Sequence, residues 1–491
     1  MERKRKIGIL LFAALCSCFI LASCGEKPVV TEPAETADTT EEGETLGVPM
    51  TADYGGETFE ILSAGNIVYE DFTADESAAL PLDIAQYKRK KRVEQNYNIQ
   101  IHESTKQAYS SGGGPGFLAV SNAVNAGDCP YDLALIAGYD VTVLSYGGYL
   151  YDMRQVPGID LTKSWWDQKA NETLSVGDCT FFTTGDITFS DNDAAFVIMF
   201  NKQILADYGL ANPYEMVYND EWTLDNFASL CKTVTEDLNQ DGEMNEEDRY
   251  GLLVWVDSLL GMVNAAGQRC CTTVDGKLTL SLFNETTVSA VEKYLAFALD
   301  KSYALQYQSI RNSAEFEQWL WSGNHGLFWT TTMRSVPSFR EMESDFGLLP
   351  YPKLTATQKD YYATVAPFNS QFICVPMVQN DLERTGVLAE ALAYYGQKDV
   401  LSAYYDVSLK GLNSRDEESS DMLDIIFANL VYDVGYLYQI GPYNKNFNYM
   451  VSRGDTNFVT MYESLYNVAS AQLDRINDAY AKLLVKWQPQ A

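Results

Sequence analysis

The chain has 491 residues, with 67 Asp and Glu against 35 Lys and Arg, a formal charge of −32 and a sequence pI near 4.3. A surface this acidic repels phosphate backbones, which excludes nucleic acid as a partner and disfavours polyanionic ligands, while leaving room for a local basic pocket. Aromatic residues make up 13% of the chain, including 32 Tyr and 8 Trp; neutral amphipathic ligands such as sugars stack on such rings, although most rings serve as core.

Residues 1–23 join a basic start, MERKRK, to an apolar run that stops at small residues, which is the pattern of an export signal. LASC followed by Gly25 resembles the lipobox of bacterial lipoproteins. That resemblance implies cleavage before Cys24 and a diacylglyceryl thioether on it; an ordinary secretory signal and an uncleaved helix are the alternatives. Acyl chains, at about 0.8 kcal/mol per buried methylene, hold a protein on a membrane without a spanning helix. No later stretch is apolar for long enough to span a bilayer, so the expected location is the extracellular face of the cell membrane. Residues 24–52 are rich in Thr, Glu and Pro and have little to bury, so they read as a disordered spacer. Roughly 440 residues then remain, enough for two lobes or more.

The body opens with TFEILSA, Thr58–Ala64, which alternates like a strand and ends at Gly65 and Asn66. A charged helical stretch, AQYKRKKRVEQNY, precedes a second strand, NIQIHES. The run Ser110–Gly116, SSGGGPG, lacks the Lys and Ser/Thr of a phosphate loop and reads as a connector. A helix, FLAVSNAVNAG, and a buried strand, YDLALIAG, follow. Strands alternating with helices predict an α/β fold on a parallel sheet. In open sheets of this kind ligands gather beyond the carboxyl ends of the strands, which nominates Gly65, Asn66, Tyr139 and Asp140.

In EWTLDNFASLCK, Thr223 is placed to cap a helix whose apolar face holds Phe227 and Leu230. DLNQDGEMNEED follows almost at once. It sets Asp237, Asn239 and Asp241 at alternate positions, Gly242 sixth and Asp248 twelfth, with Glu243 offering its carbonyl and Asn245 acting directly or through water. Calcium loops draw oxygens from positions 1, 3, 5, 7, 9 and 12 at about 2.3–2.6 Å, and their sixth-position glycine allows the sharp turn. The expectation is a single structural Ca2+ site. Asp in place of the usual Glu at the twelfth position shortens the closing arm, and a solvated acidic turn is the alternative. Further on, Val288, Val291, Leu295 and Leu299 share one side of a helix. FEQWLWSGNHGLFWTTTMRS ends a helix at Gly323 and enters a strand, QFICVPM is a buried strand, and the rest is mostly helical. Trp222, Trp319 and Trp321 fall on helix-like segments and are expected in the core.

Three of the nine cysteines, Cys16, Cys18 and Cys24, precede the body. The other six show no C-x-x-C spacing, and His102 and His325 are the sole histidines, so a structural zinc is not expected. An even count in an exported chain permits disulfides or buried thiols alike.

The order of these segments resembles the extracellular solute-binding proteins of ABC importers, in the clan that binds sugars. FVIMFNKQILADYGLANPYE, with Asn201, Lys202, Gly209, Leu210 and Pro213, carries the likeness, as do EWTLDNF, SGNHGLFWTTTMRSVPSF and DFGLLPYPK. Some members also place one calcium loop after the EWT helix, followed by Tyr-Gly as in Tyr250 and Gly251. The resemblance implies a two-lobed, type II periplasmic-binding-protein-like fold with the solute between the lobes. On that pattern 53–184 and 327–376 form the N-terminal lobe, and 185–326 and 377–491 the C-terminal lobe. GDCTFFTTGDITFS is then the first crossing and GLFWTTTM the return. Candidate solute-binding residues are Trp329 and Arg334 past the return strand, Trp255 past the acidic loop, Trp166 or its neighbour Trp165, and Asp186, Asp191 and Asn192 as hydroxyl acceptors. Partners implied are a small sugar or oligosaccharide and ABC permease subunits, with the chain itself a monomer. Two rivals stand beside this reading. Two histidines give a Ser/His/Asp triad few places to form, but abundant carboxylates leave open a glycosidase pair about 5–9.5 Å apart. A surface adhesion protein with a dockerin-like module would carry two related loops, and this chain has one.

Overall fold

A computed structural model describes residues 44–411 and 417–487. Two sheets organise them. The first has the order β12-β3-β1-β2, built from β1 (Glu57–Gly65), β2 (Ile99–Gln107), β3 (Leu133–Ala137) and β12 (Gln371–Cys374). β1 runs parallel to β2, with Phe59 opposite Ile101, and parallel to β3, whereas β12 closes the edge antiparallel to β3. All five residues of β3 are buried, as expected of an apolar run covered on both faces. Helices return the chain between these strands. Pro115 starts the helix Pro115–Ala126 with a preset φ, and Gly127, in the left-handed region at φ 73°, ends it.

The second sheet has the order β10-β4-β9-β5-β8, from β4 (Phe196–Asn201), β5 (Tyr250–Leu253), β8 (Ala304–Leu305), β9 (Gly326–Thr332) and β10 (Phe346–Leu349). β9 pairs antiparallel with β4 and parallel with β5. The chain passes from the first sheet to the second between β3 and β4 and comes back between β10 and β12.

Side-chain alternation in β1 divides the core. Phe59 and Ile61 pack with Leu133 and Leu135 against the helix Leu382–Tyr395, whose Leu388 and Leu392 are fully buried. Leu62 and Ala64, on the opposite face, join the larger core that continues into the second sheet. At roughly 1.5–3 kcal/mol for each fully buried aliphatic side chain, that contact is enough to fix the helix on the first sheet.

Several segments lie elsewhere than expected. Stretch 327–376 does not join the first sheet as a unit: β9 and β10 hydrogen-bond into the second sheet, and β12 alone joins the first. Within 377–491 the helix Leu382–Tyr395 covers the first sheet, because its apolar face fits the side chains of β1 and β3. Segment 177–190 is not a continuous strand and makes isolated bridges, Thr183 to Ile373 and Gly185 to Trp166. The spacer expected over 24–52 ends early: Val48 is buried, Tyr97 donates to the Pro49 carbonyl (2.7 Å) and Ala52 N–H donates to the Asn96 carbonyl (3.1 Å). Residues 1–43, including Cys24, lie outside the described residues. Trp222 and Trp321 are core as expected, but Trp319 is 44% exposed and stacks on His325 at 4.4 Å, because its helix buries Phe316 and Leu320 instead. Cys129, Cys179, Cys231, Cys270, Cys271 and Cys374 are all free and buried. Among the described residues no helix is long and apolar enough to cross a membrane.

Candidate functional site

Trp255 lies two residues past the end of β5, and its backbone N–H donates to Thr330 Oγ1 on β9 (2.9 Å). Its ring leans on Phe196 at 4.7 Å and is only half-buried, so part of it faces a cavity of about 340 Å3. Trp329 on β9 and Arg334, just past that strand, line the same cavity. Around them stand the neutral hydrogen-bonding side chains of Thr331, Gln318 and Asn369 and the carboxyl of Glu317. Trp329 is only 2% exposed: Phe339 meets it edge-on at 5.3 Å, and its indole N–H donates to Tyr307 Oη at 3.2 Å.

Arg334 ties the two sheets together at the rim. Its Nη1 pairs with Asp193 Oδ2 (3.4 Å), and its guanidinium lies over the ring of Tyr69, which follows β1, at 5.7 Å. Tyr69 Oη in turn donates to Asp193 Oδ2 (3.0 Å) or to the Asn369 carbonyl (2.9 Å). Burial raises the pKa of Asp193, and the nearby guanidinium opposes that shift.

Two residues of the short helix Ser190–Asp193, Asp191 and Asn192, line a second cavity of about 450 Å3. Trp165, Asp167, Asp186, Asp191 and Asn192 line the second cavity. Tyr432 Oη lies 3.0 Å from both Asp167 Oδ2 and Asp191 Oδ2. Desolvation, followed by the mutual repulsion of these acids, pushes Asp186 up to about 8 and Asp191 up to about 7.

The expected residues are therefore divided. Trp255, Trp329 and Arg334 converge on one cavity, and Asp186 and Asp191 on the other. Trp166 lines neither. It is fully buried, and its Nε1 donates to Glu390 Oε2 at 2.8 Å while Trp165 donates to the other oxygen at 3.0 Å. Asp140 is fully buried and accepts backbone N–H bonds from Gly114 (2.8 Å), Gly116 (3.2 Å) and Phe117 (3.3 Å), so it caps the helix Pro115–Ala126. Asn66 braces the neighbouring loop by accepting from Ser110 N–H at 2.7 Å. Tyr139 packs edge-on to Tyr436, whose hydroxyl reaches Asp257 at 3.4 Å. These three residues do sit at strand ends, but their polar atoms are engaged by the protein itself. Sequence reasoning missed Tyr69, Asp193, Tyr307 and Glu317. Only Asp193 carried a signal, through its place in the acidic run SDND; the others are brought in by tertiary contacts alone.

In the acidic loop Asp237 accepts from Gln240 N–H (2.7 Å) and Gly242 N–H (2.8 Å), Asn239 from Asp241 N–H (2.9 Å) and Asp241 from Glu243 N–H (2.8 Å). Gly242 has φ 85°, the left-handed geometry the turn demands. Asp248 is fully buried and accepts from Leu238 N–H (3.0 Å) and Asn245 N–H (2.8 Å). The donor set is all oxygen, which suits a hard cation, and each oxygen keeps a lone pair beyond the bond it accepts. Among the described residues no three His, Cys, Asp or Glu side chains are grouped closely enough to hold a metal ion. Neither histidine lines the two cavities: His102 is exposed beside Glu60, and His325 Nδ1 contacts the Asp248 carbonyl at 3.2 Å.

A search of curated protein sequences returned no match. Among solved structures, the ABC substrate-binding protein Lmo0181 from Listeria monocytogenes, in complex with cycloalternan, is similar at TM-score 0.52 and 14% identity, covering 87% of this chain and 99% of that one. The maltose/maltodextrin-binding domain MalE from Bdellovibrio bacteriovorus, bound to maltotriose, gives TM-score 0.50 and 13% identity, covering 87% and 99%. A cyclo/maltodextrin-binding protein complexed with maltotetraose gives 0.54 and 13%, covering 84% and 96%. These likenesses identify the two-lobed α/β fold of periplasmic binding proteins. Residues 74–356, more than half of the chain, match the family model of the bacterial extracellular solute-binding proteins, and the chain belongs to that family.

Proposed function

We propose that the protein is a lipid-anchored receptor on the outer face of the cell membrane, which captures a small neutral saccharide and hands it to an ABC permease without altering it. One observation carries the reading: a half-buried indole, Trp255, shares a cavity of about 340 Å3 with Arg334 and with the neutral hydrogen-bonding groups of Thr331, Gln318 and Asn369. Sugars require that combination, an aromatic face for their C–H surface and polar groups for their hydroxyls. The saccharides held by the similar structures agree with it. Arg334 and Tyr69 bridge the two sheets at the rim, where hinge closure would tighten the contact with solute. The all-oxygen loop Asp237, Asn239, Asp241, Glu243 and Asp248, whose carboxylates here accept from the loop's own backbone, would have to draw together to hold Ca2+ as a brace for the second sheet.

The test is calorimetric titration with glucose, tagatose, maltose and maltotriose. At least one should bind saturably and leave chemically unchanged, and Trp255→Ala should weaken it about 10- to 100-fold, the loss expected for removing a stacked aromatic anchor. Silence across the panel, or a hydrolysed sugar, overturns the proposal.

A further inference from the structure

Tyr432 Oη lies 3.0 Å from Asp167 Oδ2 and 3.0 Å from Asp191 Oδ2, yet a phenol has one proton to donate. With both carboxyls ionised, one of the two oxygens would face a lone pair, a desolvated charge without a donor, which is costly. One added proton resolves the arrangement: a carboxylic acid donates to Tyr432 Oη, and Tyr432 donates to the remaining carboxylate. The second oxygens are alike, since Asp167 Oδ1 accepts from Ala170 N–H (2.7 Å) and Asp191 Oδ1 from Asn192 N–H (3.0 Å). Burial decides between them. Asp191 is 6% exposed and Asp167 only half-buried, so the neutral acid is Asp191.

Three elements meet at this bridge. Asp167 caps the helix Gln168–Leu174, Asp191 lies on the short helix Ser190–Asp193, and Tyr432 follows the strand Leu430–Val431. Asp186, Asp424 on the helix Glu417–Phe427, and Tyr405 on the helix Ser402–Gly411 line the same cavity and add acid rather than base. Asp433, beside Tyr432, turns away to accept from Cys270 N–H (2.7 Å), and Asp399 on the turn Gly396–Leu401 pairs with Arg92 (3.1 Å). The nearby cations are engaged elsewhere. Arg89 donates to the Ile187 carbonyl, Lys169 to the Ala428 carbonyl, and Lys163 lies over the Trp165 ring at 5.8 Å. Among the described residues none of them forms an ion pair with Asp167, Asp186 or Asp191. Desolvation, and then the charge of Asp167, raise Asp191 to about 7, in keeping with a retained proton.

The short helix also reaches the solute cavity. Asp193, two residues past Asp191, pairs with Arg334 and meets Tyr69 at the rim, while Ser190 Oγ donates to the Gln371 carbonyl on β12 (3.0 Å). A helix of four residues cannot shift at Asp191 without moving Asp193.

We propose that Asp191 and Asp167 share one proton through Tyr432 Oη, and that this proton is a switch: it holds the helix Ser190–Asp193 where Asp193 meets Arg334, and solute affinity falls when it leaves. The switch rests on the saccharide reading of the first cavity; the shared proton does not. Asp191 sits above its unfolded value near 4, so the bridge is complete at low pH and is lost as pH rises through about 7.

Two measurements on the mature chain test it. The first needs no solute: 13C NMR titration of aspartate carboxyls, with the Asp191 signal identified by its loss in Asp191→Asn. Its midpoint should lie near pH 7. Asp167→Asn should lower that midpoint, because Tyr432 then donates to Asp191, and the drop should shrink when both chains also carry Tyr432→Phe. A wild-type midpoint in the ordinary carboxyl range, or a drop of equal size with and without the Tyr432 hydroxyl, overturns the shared proton. The second is calorimetry with glucose, tagatose, maltose and maltotriose. Affinity for any sugar that binds should fall between pH 6 and pH 8.5, by at most about 30-fold, the limit set by the fraction of chains still protonated about 1.5 pH units above the midpoint. Asp191→Asn, whose amide donates to Tyr432 at every pH, should show no such fall. A wild-type affinity indifferent to pH, or an equally steep fall in Asp191→Asn, overturns the switch. If no sugar binds, the saccharide reading falls and takes the switch with it, while the NMR midpoints still decide whether the proton is shared.

Discussion

Asp140 shows how residue type and residue role part company. An aspartate at the carboxyl end of a buried strand is a reasonable ligand contact from sequence, but the turn after β3 aims it at the amino end of a neighbouring helix, where three backbone N–H groups claim it. Trp165 and Trp166 are similar. Their indole N–H groups converge on Glu390, a carboxyl that burial pushes up to about 7, and one of the pair still reaches a cavity. Trp255 and Arg334 both line one cavity because each lies two residues past a strand of the second sheet, where side chains leave the core. Cys24 is expected as the lipid anchor solely from the resemblance of LASC and Gly25 to a lipobox, and it lies outside the described residues. Cys24→Ala should move the protein from the membrane fraction to the culture medium and abolish its labelling by radioactive palmitate. A variant that stays membrane-bound would show that something else holds the chain.

At the scale of elements, local pattern performed well wherever a segment's own residues decide its shape. β1, β2 and β3, the cap of Thr223 on the helix Leu224–Cys231 and the turn at Gly242 all follow from alternation, capping and backbone freedom. What neighbours decide was not legible. β9 reads as a strand, but nothing in GLFWTTT says that it pairs between β4 and β5 rather than in the first sheet. The acidic loop carries the prediction at this scale. Its side chains already bind its own backbone, so a bound cation would add order to a turn that is partly formed. Calcium at about 100 times its dissociation constant should stabilise the fold by about 2.7 kcal/mol, with a matching rise in Tm. Chelation should reverse that gain, and Asp241→Ala should abolish it. A Tm indifferent to chelator would reduce the loop to a plain turn.

For the whole molecule, acidity extends into the interior. Burial pushes Asp257 up to about 6, Glu103, Asp191 and Glu390 to about 7, and Asp186 to about 8. In an unfolded chain these groups titrate near pH 4. Between that point and their raised values the folded protein binds protons that the unfolded chain has lost, so their contribution is fully present below about pH 4 and declines as pH rises toward 8. Crowding of surface negative charge acts in the same direction. Thermal unfolding should accordingly show a higher Tm near pH 5 than near pH 8, and Asp186→Asn should shrink the difference. A Tm that climbs over this interval would mean these carboxyls are not buried as described.

The sequence by itself determined the acidic balance, the α/β alternation, the turn of the acidic loop and the family. Each of these is written in contiguous residues whose chemistry or periodicity acts over a few ångströms. Tertiary structure alone decided that the helix Leu382–Tyr395 covers the first sheet, that expected binding residues divide between two cavities, and that Tyr69, Tyr307 and Glu317 join the site. Those outcomes depend on contacts between residues up to hundreds of positions apart, such as Tyr69 with Asn369. Such contacts are set by how two sheets and their covering helices bury apolar faces together, and no local segment encodes them.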